Sequence, residues 1–238
     1  MNIGCVFAVS LIALFAAAAQ TNSQDEKDPN RPACTSAYCR KIQAYLKVHY
    51  CGESPAGNGP DNGCEIRVPK QQDAGIELKA DYECGWNEKK ELYECTQQGL
   101  PSPVVRGILE RELHRLGLPA DAKGRILFRL LESSENHWFL AEADYTRVSG
   151  DNMDLCDVIA IIDKNSNVTA LRKVAFQRTD ADKPAVTTWS ALGLADVDGD
   201  GQLDIVLEGD AYENHWIEVV TMKHGAPQTV FSGLGYYL

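Results

Sequence analysis

Four aspartates recur in the stretch ADVDGDGQLDIVLEG, residues 195–209: Asp196, Asp198, Asp200 and Asp204. Counting Asp196 as position 1 of a loop places them at positions 1, 3, 5 and 9, with Gly201 at position 6 and Gln202 at position 7. That spacing suits calcium, which takes roughly six to eight oxygens at about 2.3–2.6 Å in a flexible shell. Alternate carboxylates on a curling backbone point inward. Gln202 can add its backbone carbonyl, and glycine at position 6 permits a turn that a Cβ would hinder. Without a cation the carboxylates repel one another at short range. Magnesium prefers fewer carboxylates and more water. Asp196, Asp198, Asp200, Gln202 and Asp204 are therefore the expected calcium ligands.

An EF-hand would need a bidentate glutamate at position 12, but Leu207 stands there and Glu208 comes one residue late. The exit Leu203-Asp204-Ile205-Val206-Leu207 favours a strand over a helix. The pattern Asp-x-Asp-x-Asp-Gly-x-x-Asp running into a strand resembles the calcium loops of FG-GAP and VCBS-type repeats. The resemblance covers one repeat unit, about residues 192–220. It implies a loop joining two strands of a propeller blade, with the four aspartates as side-chain ligands and Gln202 as a carbonyl ligand. A propeller needs about four blades or more. Here one unit is present, with a degenerate echo at 116–140 that shares Leu-Gly-Leu and Glu-Asn-His-Trp but lacks the aspartates.

Other chemistry is weakly signalled. Glu110-Arg111-Glu112-Leu113-His114 lacks the His-Glu-x-x-His order of a metalloprotease helix and reads as a charged surface face. No Gly-x-Ser-x-Gly, phosphate loop or dinucleotide fingerprint occurs, so no catalytic residue is assigned.

The elements that must position the loop are legible in the hydrophobic pattern. Apolar and β-branched runs at 126–131, 137–145, 156–163, 168–177, 186–195, 203–209, 215–222 and 228–232 read as strands. Turn chemistry at 163–167 makes a hairpin of the third and fourth. Before them, Tyr38, Ile42, Tyr45 and Leu46 recur at helical spacing over 37–49. Ser102-Pro103 starts a second helix that Gly117 stops. Residues 65–100 are ambiguous.

The first 19 residues are an uncharged, largely apolar run ending in Ala17-Ala18-Ala19, which reads as a cleavable signal peptide. Residues 20–33 are a polar spacer. Of the chain's 8 cysteines, six lie in residues 34–95, and in an exported chain these read as disulfides rather than zinc ligands. Six cysteines allow 15 pairings, among which Cys51 with Cys64 and Cys84 with Cys95 would each close a short polar loop. Cys156 is left as a free, buried thiol. The net charge of −11 gives no reason to seek nucleic acid or an anionic membrane.

The expected fold class is α+β. A helical, disulfide-braced N-terminal part (34–118) precedes a mainly antiparallel β region (124–238) with one or two propeller-blade-like units. The expected function is an exported calcium-binding protein, secreted or periplasmic, acting as a binding or adhesion module toward a protein or carbohydrate partner. An exported polysaccharide hydrolase with structural calcium and a secreted inhibitor are the alternatives.

Overall fold

The computed structural model describes residues 36–52, 65–66, 76–90, 92–122, 125–133, 138–149, 152–178, 187–211, 214–223 and 225–237. The signal run, the spacer and the loop closed by the expected Cys51–Cys64 pair lie outside these residues. No described helix is long and apolar enough to cross a membrane.

Two α-helices are present among the described residues. In α1 (Ala37–His49), the Ser36 hydroxyl caps the start by accepting the Cys39 N–H at 3.0 Å. In α2 (Pro103–Arg115), Ser102 caps the start, proline occupies the first turn, and Gly117 sits just past the end at φ +97°. Both helices match their sequence patterns.

Strands dominate the rest. β1 (Cys51–Gly52) and β2 (Glu65–Ile66) form a small pair. The strands β3 (Ile76–Asn87), β4 (Leu92–Gly99), β5 (Leu127–Ser133), β6 (Trp138–Ser149), β7 (Asn152–Asp163) and β8 (Val168–Arg178) form an antiparallel sheet ordered β4-β3-β5-β6-β7-β8. A second antiparallel sheet, ordered β12-β11-β10-β9, contains β9 (Thr188–Ala195), β10 (Asp204–Ala211), β11 (Asn214–Lys223) and β12 (Ala226–Tyr237).

Three apolar clusters stack these parts into four layers. α2 packs Val105, Ile108, Leu109 and Leu113 on Phe128, Ala143, Val158 and Ile162 of the six-stranded sheet. The opposite face of that sheet, with Leu131, Leu140, Ile159 and Ile161, meets Leu194, Ile205, Leu207 and Val220 of the four-stranded sheet. The outer face of the four-stranded sheet, with Val206, Ile217, Val219 and Phe231, receives Ile42, Leu46 and Tyr50 of the α1 segment. Antiparallel sheets often leave one face wet. Here both faces are covered at the central strands, which is why β7 and β10 read as near-continuous apolar runs rather than alternating ones. Each fully buried Leu or Ile in these clusters contributes about 1.5–3 kcal/mol.

The architecture corrects the expected fold class. The N-terminal part carries a disulfide, as expected, but it is not a helical unit. Its residues 76–99 fold as β3 and β4, and β3 pairs with β5 through Ile76↔Ser133 and Leu78↔Leu131. In β3 the residues Ile76, Leu78, Ala80, Tyr82, Cys84 and Trp86 alternate with polar or small ones, the period of two that marks a strand, whereas β4 carries no such alternation, so residues 65–100 read ambiguously as a whole. Gln97 adds a link. Its amide oxygen accepts the Phe128 N–H at 2.9 Å and its Nε2 donates to the Phe128 carbonyl at 3.0 Å, imitating a peptide group beside β5. No propeller closes either. The four-strand meander lies face to face on the six-stranded sheet, because its Ile205, Leu207 and Val220 need an apolar partner surface. The two copies of the internal echo differ in their structural setting at the front. The first Leu-Gly-Leu follows α2, while the second lies inside β9.

The cysteine expectations hold where they can be seen. Cys84 and Cys95 are disulfide-bonded across directly paired positions of β3 and β4. Cys156 is free and buried.

Candidate metal centre

The aspartate loop connects β9 to β10 and lies on the side of the four-stranded sheet that α1 covers. Its curl is built by its own aspartates. Asp196 accepts the N–H of Asp200 at 2.9 Å on Oδ1 and that of Gly201 at 3.0 Å on Oδ2. Asp198 Oδ1 accepts the same Asp200 N–H at 3.0 Å. Gly199 and Gly201 take φ of +71° and +86°, the left-handed region that a Cβ disfavours. Val197, 1% exposed, anchors the loop in the α1 core.

One oxygen each from Asp196, Asp198 and Asp204 falls within 4.8 Å of the others, a spacing compatible with a shared cation. Asp204 opens β10, is 3% exposed, and accepts the Val197 N–H at 3.2 Å and a hydrogen bond from the Thr221 side chain. Burial first, then the negative charges of Asp198 and Asp200, push its carboxyl up to about 6, against the two hydrogen bonds that favour the charged form. Of the five expected ligands, these three converge. Asp200 is not in the group, and its Oδ1 instead accepts the Gln202 N–H at 2.8 Å. Gln202 is exposed at the loop's far end.

Helix α1 contributes two side chains that the loop pattern did not signal. The Tyr38 hydroxyl donates to Asp198 Oδ2 at 2.9 Å, and its own pKa is pushed up to about 12, by burial first and by Asp198 next. Lys41 Nζ donates to the Asp198 carbonyl and lies over Gly199, where a Cβ would meet it at 2.8 Å. A positive charge therefore already stands at the loop's outer side.

A second polar centre lies between the sheets. Glu142 on β6 is 1% exposed and Asp157 on β7 is 3% exposed. Asp144 faces Asp157 directly across the two strands. Glu142 Oε1 accepts the Tyr82 hydroxyl at 2.7 Å, and its Oε2 accepts the backbone N–H of Ala191 at 2.9 Å. Asp157 accepts the backbone N–H of Trp189. Arg129 completes the arrangement, with Nε on Asp81 at 2.8 Å and Nη1 on the Ala191 carbonyl at 3.3 Å. Trp189 and Ala191 belong to β9, the edge strand of the four-stranded sheet. The charged side chains of one sheet thus satisfy the open edge of the other, which is a way of protecting an edge strand. Asp157 Oδ1 has no hydrogen-bond partner among the described residues.

None of these carboxylates belongs to the aspartate loop pattern. The available signal was a charge inside an apolar strand, as in Phe139-Leu140-Ala141-Glu142 and Leu155-Cys156-Asp157-Val158. A hydrolase would call for two facing carboxylates in a cleft. The cleft at α2 and β8 and the one at the β3–β4 hairpin are lined by other residues. The polar centre does what a sheet-to-sheet clamp requires.

No protein-family model, curated protein or solved structure matches the chain.

Proposed function

We propose that the chain is an exported calcium-binding protein in which one ion braces the β9–β10 loop, so that the sandwich serves as a binding or adhesion module outside the cytosol. The observation that carries this reading is the convergence of Asp196, Asp198 and Asp204 within 4.8 Å on a loop whose backbone those same side chains hold. Two further features agree with it. The Cys84–Cys95 bond suits an oxidising compartment. Extracellular modules work with weak calcium sites, of about 0.1–1 mM affinity, and a loop with three converging carboxylates fits that range. Asp204 and Asp196 supply buried and half-buried anionic oxygens, and Asp198 lies at the mouth beside α1.

A thermal melt in calcium, repeated in EDTA, tests the proposal. Calcium at about 100 times its dissociation constant stabilises by about 2.7 kcal/mol, and the midpoint rises accordingly. Asp198→Asn and Asp196→Asn each abolish most of that rise. An unchanged midpoint, or a rise that survives both substitutions, rules out the loop as the site. Equal stabilisation by magnesium points away from a calcium-selective shell.

A further inference from the structure

We propose that Asn167 is the acceptor of an N-linked glycan, and that this glycan shields the open edge of the six-stranded sheet. The proposal rests on the reading of the chain as exported, since the transfer takes place in a secretory compartment. Asn167-Val168-Thr169 is the one Asn-x-Ser/Thr sequence in all 238 residues. The structure sets it at the surface. Asn167 ends the turn between β7 and β8, and residues 164–167 are all exposed.

The turn holds the asparagine without consuming it. Asp163 Oδ1 accepts the N–H of Asn165 at 2.7 Å and that of Asn167 at 2.9 Å, while Ser166 takes a left-handed φ of +64°. Asn167 Nδ2 donates one of its two N–H groups to Asp163 Oδ2 at 2.8 Å. The second has no partner among the described residues. In the transfer, Nδ2 attacks the anomeric carbon of a lipid-pyrophosphate-linked oligosaccharide. A C–N bond forms, the bond from that carbon to the pyrophosphate oxygen breaks, one Nδ2 proton is released and the lipid pyrophosphate leaves. The remaining Nδ2 proton still serves Asp163, so the turn survives the modification.

What the glycan covers follows from the topology. β8 pairs with β7 on one side and stands at the edge of its sheet on the other. An open edge is a template for pairing with another chain unless charge or a cover blunts it. Arg172 and Lys173 bring charge to the middle of β8, but Val168, Thr169, Ala170 and Leu171 at its start carry none. Asn167 immediately precedes that uncharged stretch. Simpler roles explain the two residues singly, since asparagine suits turns and threonine suits strands. Neither role calls for the two at this spacing, exposed, beside the unguarded part of an edge.

The test is secretion from eukaryotic cells of two forms in parallel: the full chain, and residues 20–238 behind an established secretory leader. Peptide mapping before and after peptide N-glycosidase reads Asn167. A glycan there is the expected result. It is lost in Thr169→Ala, which keeps every turn bond of Asn167, and retained in Thr169→Ser. Secreted protein with Asn167 bare overturns the proposal, and so does a glycan that persists in Thr169→Ala. If the full chain stays in the cytosol while the second form is exported and glycosylated, the exported reading fails and the acceptor assignment stands. Light scattering reads the shielding: Thr169→Ala, folded as the parent, associates faster at equal concentration, and an equal rate overturns the shielding role.

Discussion

Glu142, in the six-stranded sheet, accepts the backbone N–H of Ala191, in the four-stranded sheet, at 2.9 Å. A carboxylate that is 1% exposed and serves a neighbouring sheet's edge is costly to remove, because its partners stay behind. Glu142→Leu leaves the Tyr82 hydroxyl and the Ala191 N–H without their acceptor and removes the carboxylate that lies 3.6 Å from Arg129 Nη1. The expected loss is about 3 kcal/mol in urea denaturation, and Glu142→Gln, which keeps one acceptor oxygen, loses about half of that. A loss below about 1 kcal/mol for the leucine variant would show that the contact does not clamp the sheets.

The same centre sets a pH dependence. The Asp144 carboxyl is pushed up to about 6, by burial first and then by the negative charge of Glu142. Asp157 lies well above the ordinary aspartate range, again by burial first. Both hold protons in the folded chain at a pH where the unfolded chain, titrating near 3.8, has lost them. The folded state then binds more protons, so this contribution to stability falls as pH rises from about 4 to above 6. Half-buried Asp163 is shifted the other way by its hydrogen bonds with Asn167, and acts only below its ordinary range. Urea midpoints measured in EDTA between pH 4 and 8 check this. Asp144→Asn gains on the parent protein steadily across that interval. A constant difference between the two proteins is the contrary result.

Gly209 is pressed under Trp216. A Cβ there would lie 2.4 Å from Cε2 and 2.5 Å from Cζ2 of the indole. The ring cannot move freely, since Trp189 meets it edge to face at 5.4 Å and Arg172 stacks on Trp189 at 4.6 Å. Gly209→Ala is expected to cost about 1–3 kcal/mol, the usual range for overpacking, and to change the tryptophan emission. Both readouts should move together; an altered spectrum at unchanged stability would mean that the ring finds another seat.

Lys41 stands against the aspartate loop through the Asp198 carbonyl. Under the calcium reading its ammonium opposes the incoming ion. Lys41→Met is expected to tighten calcium about threefold to tenfold at low ionic strength, an effect of about 1 kcal/mol for one charge in a largely aqueous setting. Added salt shrinks the gain. Calorimetric titration of the two proteins decides it, and weaker calcium binding by the methionine variant would make Lys41 a structural support of the loop.

What could be read before folding was local. The two helices carry their caps and spacing in the chain itself: Ser36 and Ser102 start them, and Gly117 marks one end. The eight strands from β5 to β12 announce themselves by apolar and β-branched runs, longest in β7 and β10, where both faces are buried. The curl of residues 196–201 was legible for a similar reason, since its hydrogen bonds join residues no more than five apart. The β3–β4 hairpin was legible only in half: β3 alternates apolar and polar or small residues from Ile76 to Asn87, but β4, Leu92–Gly99, is largely exposed and shows no such alternation.

The aspartate register and the element boundaries were thus determined by neighbours along the chain. Which carboxylates converge was decided only by tertiary structure. Asp204 turns inward with Asp196 and Asp198 because β10 begins at that residue and Thr221 of β11 receives it, while Asp200 is left at the rim. Glu142 and Asp157 became a clamp only when β9 crossed above them, and Tyr38 and Lys41 reached the loop only when α1 settled on the outer face. Spacing along a backbone governs contacts a few residues long. Contacts between residues 49 or 160 positions apart depend on how whole apolar faces stack, and no local pattern encodes that.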